Sequence, residues 1–578
     1  MPPRHEEVTV LQRIKLMIQT PWLRAIAATL LFLLSLYGYE LLIESVGGFR
    51  TDGFLGRWLE LALVSYLYLY FYLILKPKRW RPLLAALPIL LVYITGDIFF
   101  HFYSKVFRII EVLELPELIQ VLPLSYSVPM LLIFLLPLLW LLSSIDYRKR
   151  ALVLTGALPF AITVYLMEYM PHAYATMIET NGNEIVFYSD SLSVESNGRL
   201  TMLLYREAKR VDALAATQPY RHREAYGQQA DQFAAELKPH NNHRNVHLIV
   251  LESFLDPTLF KKAHFSKDPM HPDFRKFFGN KLGFSISPVF GGGTAQAEFE
   301  VLCGVPAMEQ LSSVEFNIFT GSAAECLPGI FNRLDYRTVA TNAYRPNFFN
   351  AIPAYKGTGF NEIYFPREYS GNNPSYLRNG DDADDEFLFD GSLFAQNLEF
   401  VSQHLKEHPE QPLVNYIMTV YGHTPHFIDT AKRPELIQVK TDHEDEHLPR
   451  AVNQFYYRTQ AIAAYVRKLT EIDPESIIIL VSDHVPPLLY GPDTYGNLEY
   501  IDNSEGHYYK NRLMIIEHGK PKVYKTAHHY ELNRVVYNYI TDGAYCQSHA
   551  CPHLKPESAT PKSEYLEQYL RLMAHASE

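Results

Sequence analysis

Cysteine is scarce in this chain, with four among 578 residues. Four cannot form a disulfide scaffold at this length, so the fold must rest on apolar cores. A basic excess is also missing. Lys and Arg total 52 against 63 Asp and Glu, a formal charge of −11 at pH 7. That balance argues against nucleic acid as a partner, which calls for a basic face. Charged residues make up 20% and hydrophobic ones 48%, too apolar a mix for intrinsic disorder. No internal repeat is present, and the one low-complexity tract is the acidic run 381–386.

The mean hydropathy of −0.09 averages two unlike parts. Apolar stretches fill the first 170 residues, at 25–43, 59–75, 83–103, 122–145 and 151–170. Each is near the roughly 20 residues that cross a bilayer. Five in series with short links are not a signal peptide. The N-terminal flank (Arg4, Arg13, Lys15, Arg24), the second link (Lys76, Lys78, Arg79, Arg81) and the fourth (Arg148, Lys149, Arg150) carry eleven positive charges. The first and third links carry four: Arg50, Arg57, Lys105 and Arg108. The N-terminus is therefore expected in the cytoplasm, with everything after residue 170 delivered outside. Asp97, near the outer end of the third stretch, is expected to snorkel or cap, with a functional role as the alternative. The third link, 105–121, has near-helical apolar spacing and reads as an interfacial helix or a packing helix between spans.

The predicted organisation is a five-span anchor over 1–170, a helical connector over 171–240, an α/β domain over 241–550 and a tail over 551–578. The connector carries a helix over 199–215. From Asn245 onward, short apolar runs alternate with longer amphipathic stretches, the texture of an α/β domain. Three β-branched runs end in polar residues: 246–251 at Glu252, 414–420 before His423, and 477–481 before Asp483 and His484. Ligands of parallel sheets sit beyond the carboxyl ends of the strands, so these ends are expected to converge. A fourth element, Val289-Phe-Gly-Gly-Gly-Thr294, precedes a helix-like stretch. Thr294 at that helix start reads as a nucleophile at an anion site or simply as an N-cap. Glu252, Thr294, Asp483 and His484 offer three oxygens and one nitrogen, a set suited to Mn²⁺, Zn²⁺ or Mg²⁺.

The motifs Val250-Leu-Glu252-Ser-Phe254, Gly293-Thr-Ala-Gln-Ala-Glu-Phe299, Tyr421-Gly-His-Thr-Pro425 and Ser482-Asp-His-Val-Pro486 together resemble the alkaline phosphatase/sulfatase superfamily. The likeness, over 245–545, is to its lipoteichoic acid synthase branch of membrane phosphoglycerol transferases. The resemblance implies Thr294 as a nucleophile that forms a phospho-threonine. It implies one divalent metal, manganese first and zinc or magnesium as alternatives, on Glu252, Thr294, Asp483 and His484. It also implies His423 as a headgroup contact and general acid or base. The phospholipid donor would be phosphatidylglycerol, the acceptor a glycan or polymer, and the location the bacterial inner membrane, with the catalytic domain in the periplasm or outside.

The chain departs from the family's pattern where an Arg follows an aromatic and an Asn. Phe349 and Asn350 are followed here by Ala351, so Arg345 is the expected substitute phosphate contact beside Phe349. His507 is expected at a phosphate or second metal, or as a surface histidine. Asp385 and Glu386 read as helix-start residues. Phosphoethanolamine transfer from phosphatidylethanolamine to lipid A or a glycan is the alternative. Such enzymes more often carry an Asp-His-Gly-Glu motif and a cysteine-rich domain, whereas this chain has Asp483-His-Val-Pro. The Cys/Ser-x-Pro-x-Arg motif of true sulfatases is missing at the Thr294 position. A non-catalytic lipid-binding protein would be expected to lose Thr294 or the metal residues. Cys303–Cys326 and Cys546–Cys551 are the expected disulfides.

Overall fold

The computed structural model describes residues 21–578 except 52, 104–105, 116–118, 120–123, 186–189, 222, 313, 347, 372, 379–386 and 557–559. The chain divides into two compact units, Met1–Asp212 and Ala213–Glu578.

In the first unit an apolar helix coincides with most of each predicted stretch, residues 122 and 123 of the fourth lying outside the described residues. The helices are α1 (Pro21–Ser45), α2 (Trp58–Ile74), α3 (Arg81–Tyr103), α4 (Leu124–Ser144) and α5 (Arg150–Tyr169). Three, at Trp22–Ser45, Arg81–His101 and Tyr147–Tyr169, are long and apolar enough to cross a membrane. The apolar runs Trp58–Ile74 and Leu131–Ser144 are shorter. Large apolar side chains such as Leu30 and Leu154 stay exposed, as expected of helices whose solvent is lipid. The predicted helix over 105–121 lies partly outside the described residues, and its described part is a 3-10 turn, Ile109–Glu114.

Among the described residues, the buried charges Glu40, Arg57, Asp97 and Arg199 of this unit are paired. Glu40 of α1 accepts from Arg57 at 2.8 Å and meets Arg199 at 3.2 Å. Arg199 also pairs with Asp97 at 2.7 Å, and Asp97 accepts from the Tyr39 hydroxyl at 2.7 Å. The expectation that Asp97 snorkels or caps is therefore corrected: its cost of burial is offset by an arginine and a phenol. Arg199 opens helix α6 (Arg199–Thr217), close to the predicted 199–215.

The second unit is built on a nine-stranded sheet. Its strands are β1 (Val246–Leu251), β2 (Gly283–Ile286), β3 (Arg337–Asn342), β4 (Glu362–Tyr364), β5 (Leu413–Met418), β6 (Ile477–Ser482), β7 (Lys510–Glu517), β8 (Lys520–Lys522) and β9 (Ala527–His528). They lie in the order β9-β2-β7-β6-β1-β5-β3-β4, with β8 on β7. The run β6-β1-β5-β3-β4 is parallel. β1 lies inside the sheet, between β6 and β5, and is buried on both faces, which explains its unbroken apolar sequence. Alternation still sorts its side chains. Val246, Leu248 and Val250 join Phe299 of helix α7 (Thr294–Cys303) in one core. Ile249 and Leu251 join Phe394 of α8 (Asp390–Glu407) and Phe455 of α9 (His447–Ile472) in the other. Each such side chain contributes about 1.5–3 kcal/mol of burial. The C-terminal stretch expected as a tail carries helix α10 (Leu566–Ala576), whose Tyr569 and Met573 enter the first core. Both expected disulfides are present, Cys303–Cys326 and Cys546–Cys551.

Candidate active site

The carboxyl ends of β1 and β6 bring Glu252, Asp483 and His484 together. One ligand atom from each lies within 4.8 Å of the others, and all three residues are buried. The chain turns sharply after β1, with Ser253 in the left-handed region at φ 45°. That turn is fixed from several sides. Ser253 N–H donates to Asp483 Oδ1 at 2.7 Å, and Glu252 N–H donates to the Thr419 hydroxyl at 3.0 Å. Gly422 completes it, because a Cβ there would collide with the Glu252 carbonyl and the Arg458 guanidinium.

Thr294 comes from the other direction, on α7. Gly291, Gly292 and Gly293 all have positive φ, and Gly293 is the N-cap. Thr294 is thus the first helical residue and not the cap, which leaves its hydroxyl for other work. That hydroxyl donates to Glu252 Oε2 at 3.2 Å, while the Ser253 hydroxyl donates to Oε1 at 2.7 Å. The glycine turn places the hydroxyl at the positive end of the helix dipole.

Electrostatics in this cluster ask for a cation. Burial pushes Asp483 up to about 7, against hydrogen bonds from the His484 and Ser253 N–H groups and from Thr294. Burial also raises Glu252, and the neighbouring Asp483 charge adds to it. Asp483 Oδ2 is buried and has no hydrogen-bond partner among the described residues. His484 Nδ1 faces the Val485 carbonyl at 3.1 Å, so that nitrogen carries the proton. Its Nε2 then keeps its lone pair free of a proton and lies 3.3 Å from Asp483 Oδ2. Two buried carboxylates, an oriented imidazole and a hydroxyl fit one divalent cation on hard-to-borderline donors.

His423, on the loop after β5, is half-buried. Its Nδ1 donates to the Thr424 carbonyl at 2.7 Å, which leaves Nε2 as the proton acceptor. It lies within electrostatic reach of Glu252, which puts it at the same site. Arg345, Phe349 and His507 make no direct hydrogen bond or ring contact with the four cluster residues among the described residues. Arg345 lies over the rings of Tyr344 and Tyr369, at 5.6 and 5.7 Å. Phe349 packs on Phe348 with ring centroids 4.4 Å apart. His507 Nδ1 faces the Ser504 carbonyl at 3.0 Å, and burial lowers its pKa. Asp385 and Glu386 lie outside the described residues.

The sequence reading missed Arg458 and Asp390. Arg458 is among the most buried large side chains, donating to Asp390 Oδ2 and to the Glu252 carbonyl, each at 2.7 Å. A usable signal exists, since Arg458 lies three residues after Phe455 and four before Ile462, on the apolar face of α9. A cation in that row needs a buried acid. The Tyr355 and Tyr416 hydroxyls, which donate to Glu298 Oε2 at 2.5 and 2.7 Å, were also missed.

The sulfatase family model matches residues 244–538, half of the chain. The chain belongs to the sulfatase family. Its β1–β7 sheet, Glu252, Thr294, Asp483 and His484 all fall inside that sulfatase match. A putative cyclic beta-1,2-glucan modification protein of Rhizobium meliloti (strain 1021) is 29% identical over 255 residues, 43% of this chain. The match spans 37% of that relative's length. Among solved structures, the Streptococcus pyogenes phosphoglycerol transferase GacH, in complex with sn-glycerol-1-phosphate, is 16% identical with a TM-score of 0.45. That match covers 63% of this chain and 92% of the other. The lipoteichoic acid synthase LtaP from Listeria monocytogenes is 16% identical with a TM-score of 0.41, covering 52% of this chain and 72% of the other.

Proposed function

We propose that this sulfatase-family chain transfers the phosphoglycerol headgroup of a membrane phospholipid to a hydroxyl of an envelope glycan or polymer, through phospho-threonine at Thr294. The observation that carries this reading is the Thr294 hydroxyl at a helix N-terminus, 3.2 Å from Glu252 and beside buried Asp483 and His484. Glu252, Thr294, Asp483 and His484 would hold one divalent metal, manganese first, with zinc or magnesium as alternatives. When bound, such a cation supplies Lewis-acid polarisation of a phosphoryl oxygen and lowers the pKa of a coordinated hydroxyl.

Thr294 Oγ1 forms the new bond to phosphorus, and the bond from phosphorus to the diacylglycerol oxygen breaks. An acceptor hydroxyl then attacks the phospho-threonine and frees Thr294. His423 Nε2 would take the proton that Thr294 releases and give it to the leaving oxygen, then take the acceptor's proton and return it to the Thr294 oxygen. Arg345, Phe349 and His507 are assigned to donor headgroup and phosphate contacts. The name of the Rhizobium relative, which concerns a cyclic glucan, supports a glycan acceptor.

The apolar helices α1 to α5 serve as a five-span anchor in the bacterial inner membrane, with the N-terminus in the cytoplasm and residues 241–550 acting outside. That location puts the site beside a lipid donor. Purified full-length protein in a bilayer mimic with Mn²⁺ tests the reading. Phosphatidylglycerol is expected to yield diacylglycerol, and Thr294→Ala to abolish it. Release from phosphatidylethanolamine alone would make the chain a phosphoethanolamine transferase instead.

A further inference from the structure

A row of aromatic rings with no role so far leads away from His423, beside Arg345, whose five donors leave room for a sugar hydroxyl besides the donor phosphate assigned above. Phe387 packs on the His423 ring at 5.2 Å and on Tyr344 at 6.0 Å. Tyr344 in turn meets Phe348 at 5.1 Å and Tyr369 at 6.3 Å. Tyr344, Arg345, Phe348 and Tyr369 are half-buried, so the row is reachable from solvent. The Arg345 guanidinium lies over both tyrosine rings and has no hydrogen-bond or ion-pair partner among the described residues.

The segment is also held in a strained shape. Phe349 and Asn350 are both left-handed, at φ 45° and 55°. Neither is glycine, so the surroundings must impose this conformation. Asn350 does so, donating from Nδ2 to the Phe316 and Phe319 carbonyls at 2.8 and 2.7 Å. At the other end Asn342 donates to the Tyr355 hydroxyl at 2.8 Å and accepts from Tyr344 N–H at 2.8 Å. The rings are therefore fixed before any ligand arrives. Backbone strain that the fold over-determines clusters at ligand sites.

We propose that this row is the acceptor subsite and that it binds a sugar ring of a neutral glucan. The inference rests on the glycan-acceptor reading above. A pyranose has an apolar C–H face that matches an aromatic ring and a rim of hydroxyls that match guanidinium and phenol donors. A lipid chain would use the rings but not the guanidinium. The row ends at His423, so a glucan seated on it brings a hydroxyl towards the imidazole.

The test titrates cyclic β-1,2-glucan calorimetrically into the full chain carrying Thr294→Ala, so that turnover does not enter. The glucan is expected to bind, and adding Phe348→Ala or Tyr369→Ala to weaken binding at least about tenfold. Melting of each variant reports whether it folds, and the two residues lie on separate segments, so one can fail without silencing the other. Absence of glucan binding, or binding that both ring variants leave intact, overturns the subsite whatever Thr294 does. Failure of the phosphoglycerol reading shows separately, as no diacylglycerol release by the Thr294 enzyme. In the active enzyme the ring variants should raise the KM for glucan and not that for phosphatidylglycerol. Equal rises in both would place the headgroup on the rings and overturn the assignment.

Discussion

Arg458 donates from Nη1 to the main-chain carbonyl of Glu252 at 2.7 Å, while its Nε pairs with Asp390 at 2.7 Å. A buried ion pair thus grips the backbone of a candidate metal ligand rather than its side chain. Removing Arg458 strands Asp390 in the core. Arg458→Met is expected to destabilise the second unit by about 3–5 kcal/mol, since one charge of a buried pair is left alone. Arg458→Met with Asp390→Leu should recover much of that stability. The double variant should still bind metal poorly, because the Glu252 peptide is no longer held. Urea titration and metal binding by calorimetry read the two effects separately.

The cluster itself gives a prediction of opposite sign. Glu252 and Asp483 are like charges buried together. Asp483→Asn removes one of them and should raise the melting temperature in a chelator. Mn²⁺ or Zn²⁺ should stabilise the natural chain by about 2.7 kcal/mol at a hundredfold excess over Kd, and Asp483→Asn hardly at all. Thermal scans with and without metal give both numbers. A variant that is less stable without metal would mean that Asp483 is held by something other than a cation.

The convergence of Glu252, Asp483 and His484 was legible in the sequence because a parallel sheet gathers the residues at the carboxyl ends of its strands. Glu252 and Asp483-His484 follow directly on β1 and β6, and the apolar runs marked those ends. The glycine triplet likewise announced the turn before Thr294. Arg458 and Asp390 escaped because their partnership spans 68 residues and no local pattern joins them. Asp97 escaped for the same reason, its arginine lying 102 residues further along. The helical end of the chain was read as a tail because Tyr569 and Met573 sit on only three turns, too short a period to weigh against a polar flank.

Three glutamates on or beside α7 make stability depend on pH. Burial pushes Glu298 up to about 7, Glu300 to about 8 and Glu315 to about 7. Their unfolded value is 4.5, so the folded chain holds protons that the unfolded chain has released. Their contribution is complete below pH 4.5 and is lost as pH rises through 7 to 8. Denaturant midpoints of the chain should fall between pH 5 and 8. Glu300→Gln should remove up to about 1.4 kcal/mol per pH unit from that slope. An unchanged slope would mean that Glu300 ionises freely.

The two disulfides are expected to differ in effect. Cys303–Cys326 closes a sequence separation of 23 and ties the end of α7 to the helix that starts at Leu327. Cys546–Cys551 closes only 5. By loop closure the first is worth about 3 kcal/mol and the second about 2. Serine pairs at each bridge, compared by urea midpoint, should keep that order.

In the first unit, Glu60 of α2 caps the start of α6. It accepts from Leu200 N–H at 3.0 Å and from Thr201 N–H and hydroxyl, each at 2.8 Å. The approach is so close that a Cβ on Gly198 would overlap the Glu60 side chain, and Gly198 sits at φ 93°. Two independent costs therefore meet in Gly198→Ala: a left-handed backbone worth about 1–2 kcal/mol and the loss of a cap worth about 1. Glu60→Gln should cost less, because its amide oxygen can still accept. Melting of the detergent-solubilised chain should rank natural above Glu60→Gln above Gly198→Ala. If alanine at 198 were tolerated, α6 would have to start without Glu60, and Arg199 would carry the joint through Asp97 and Glu40 alone.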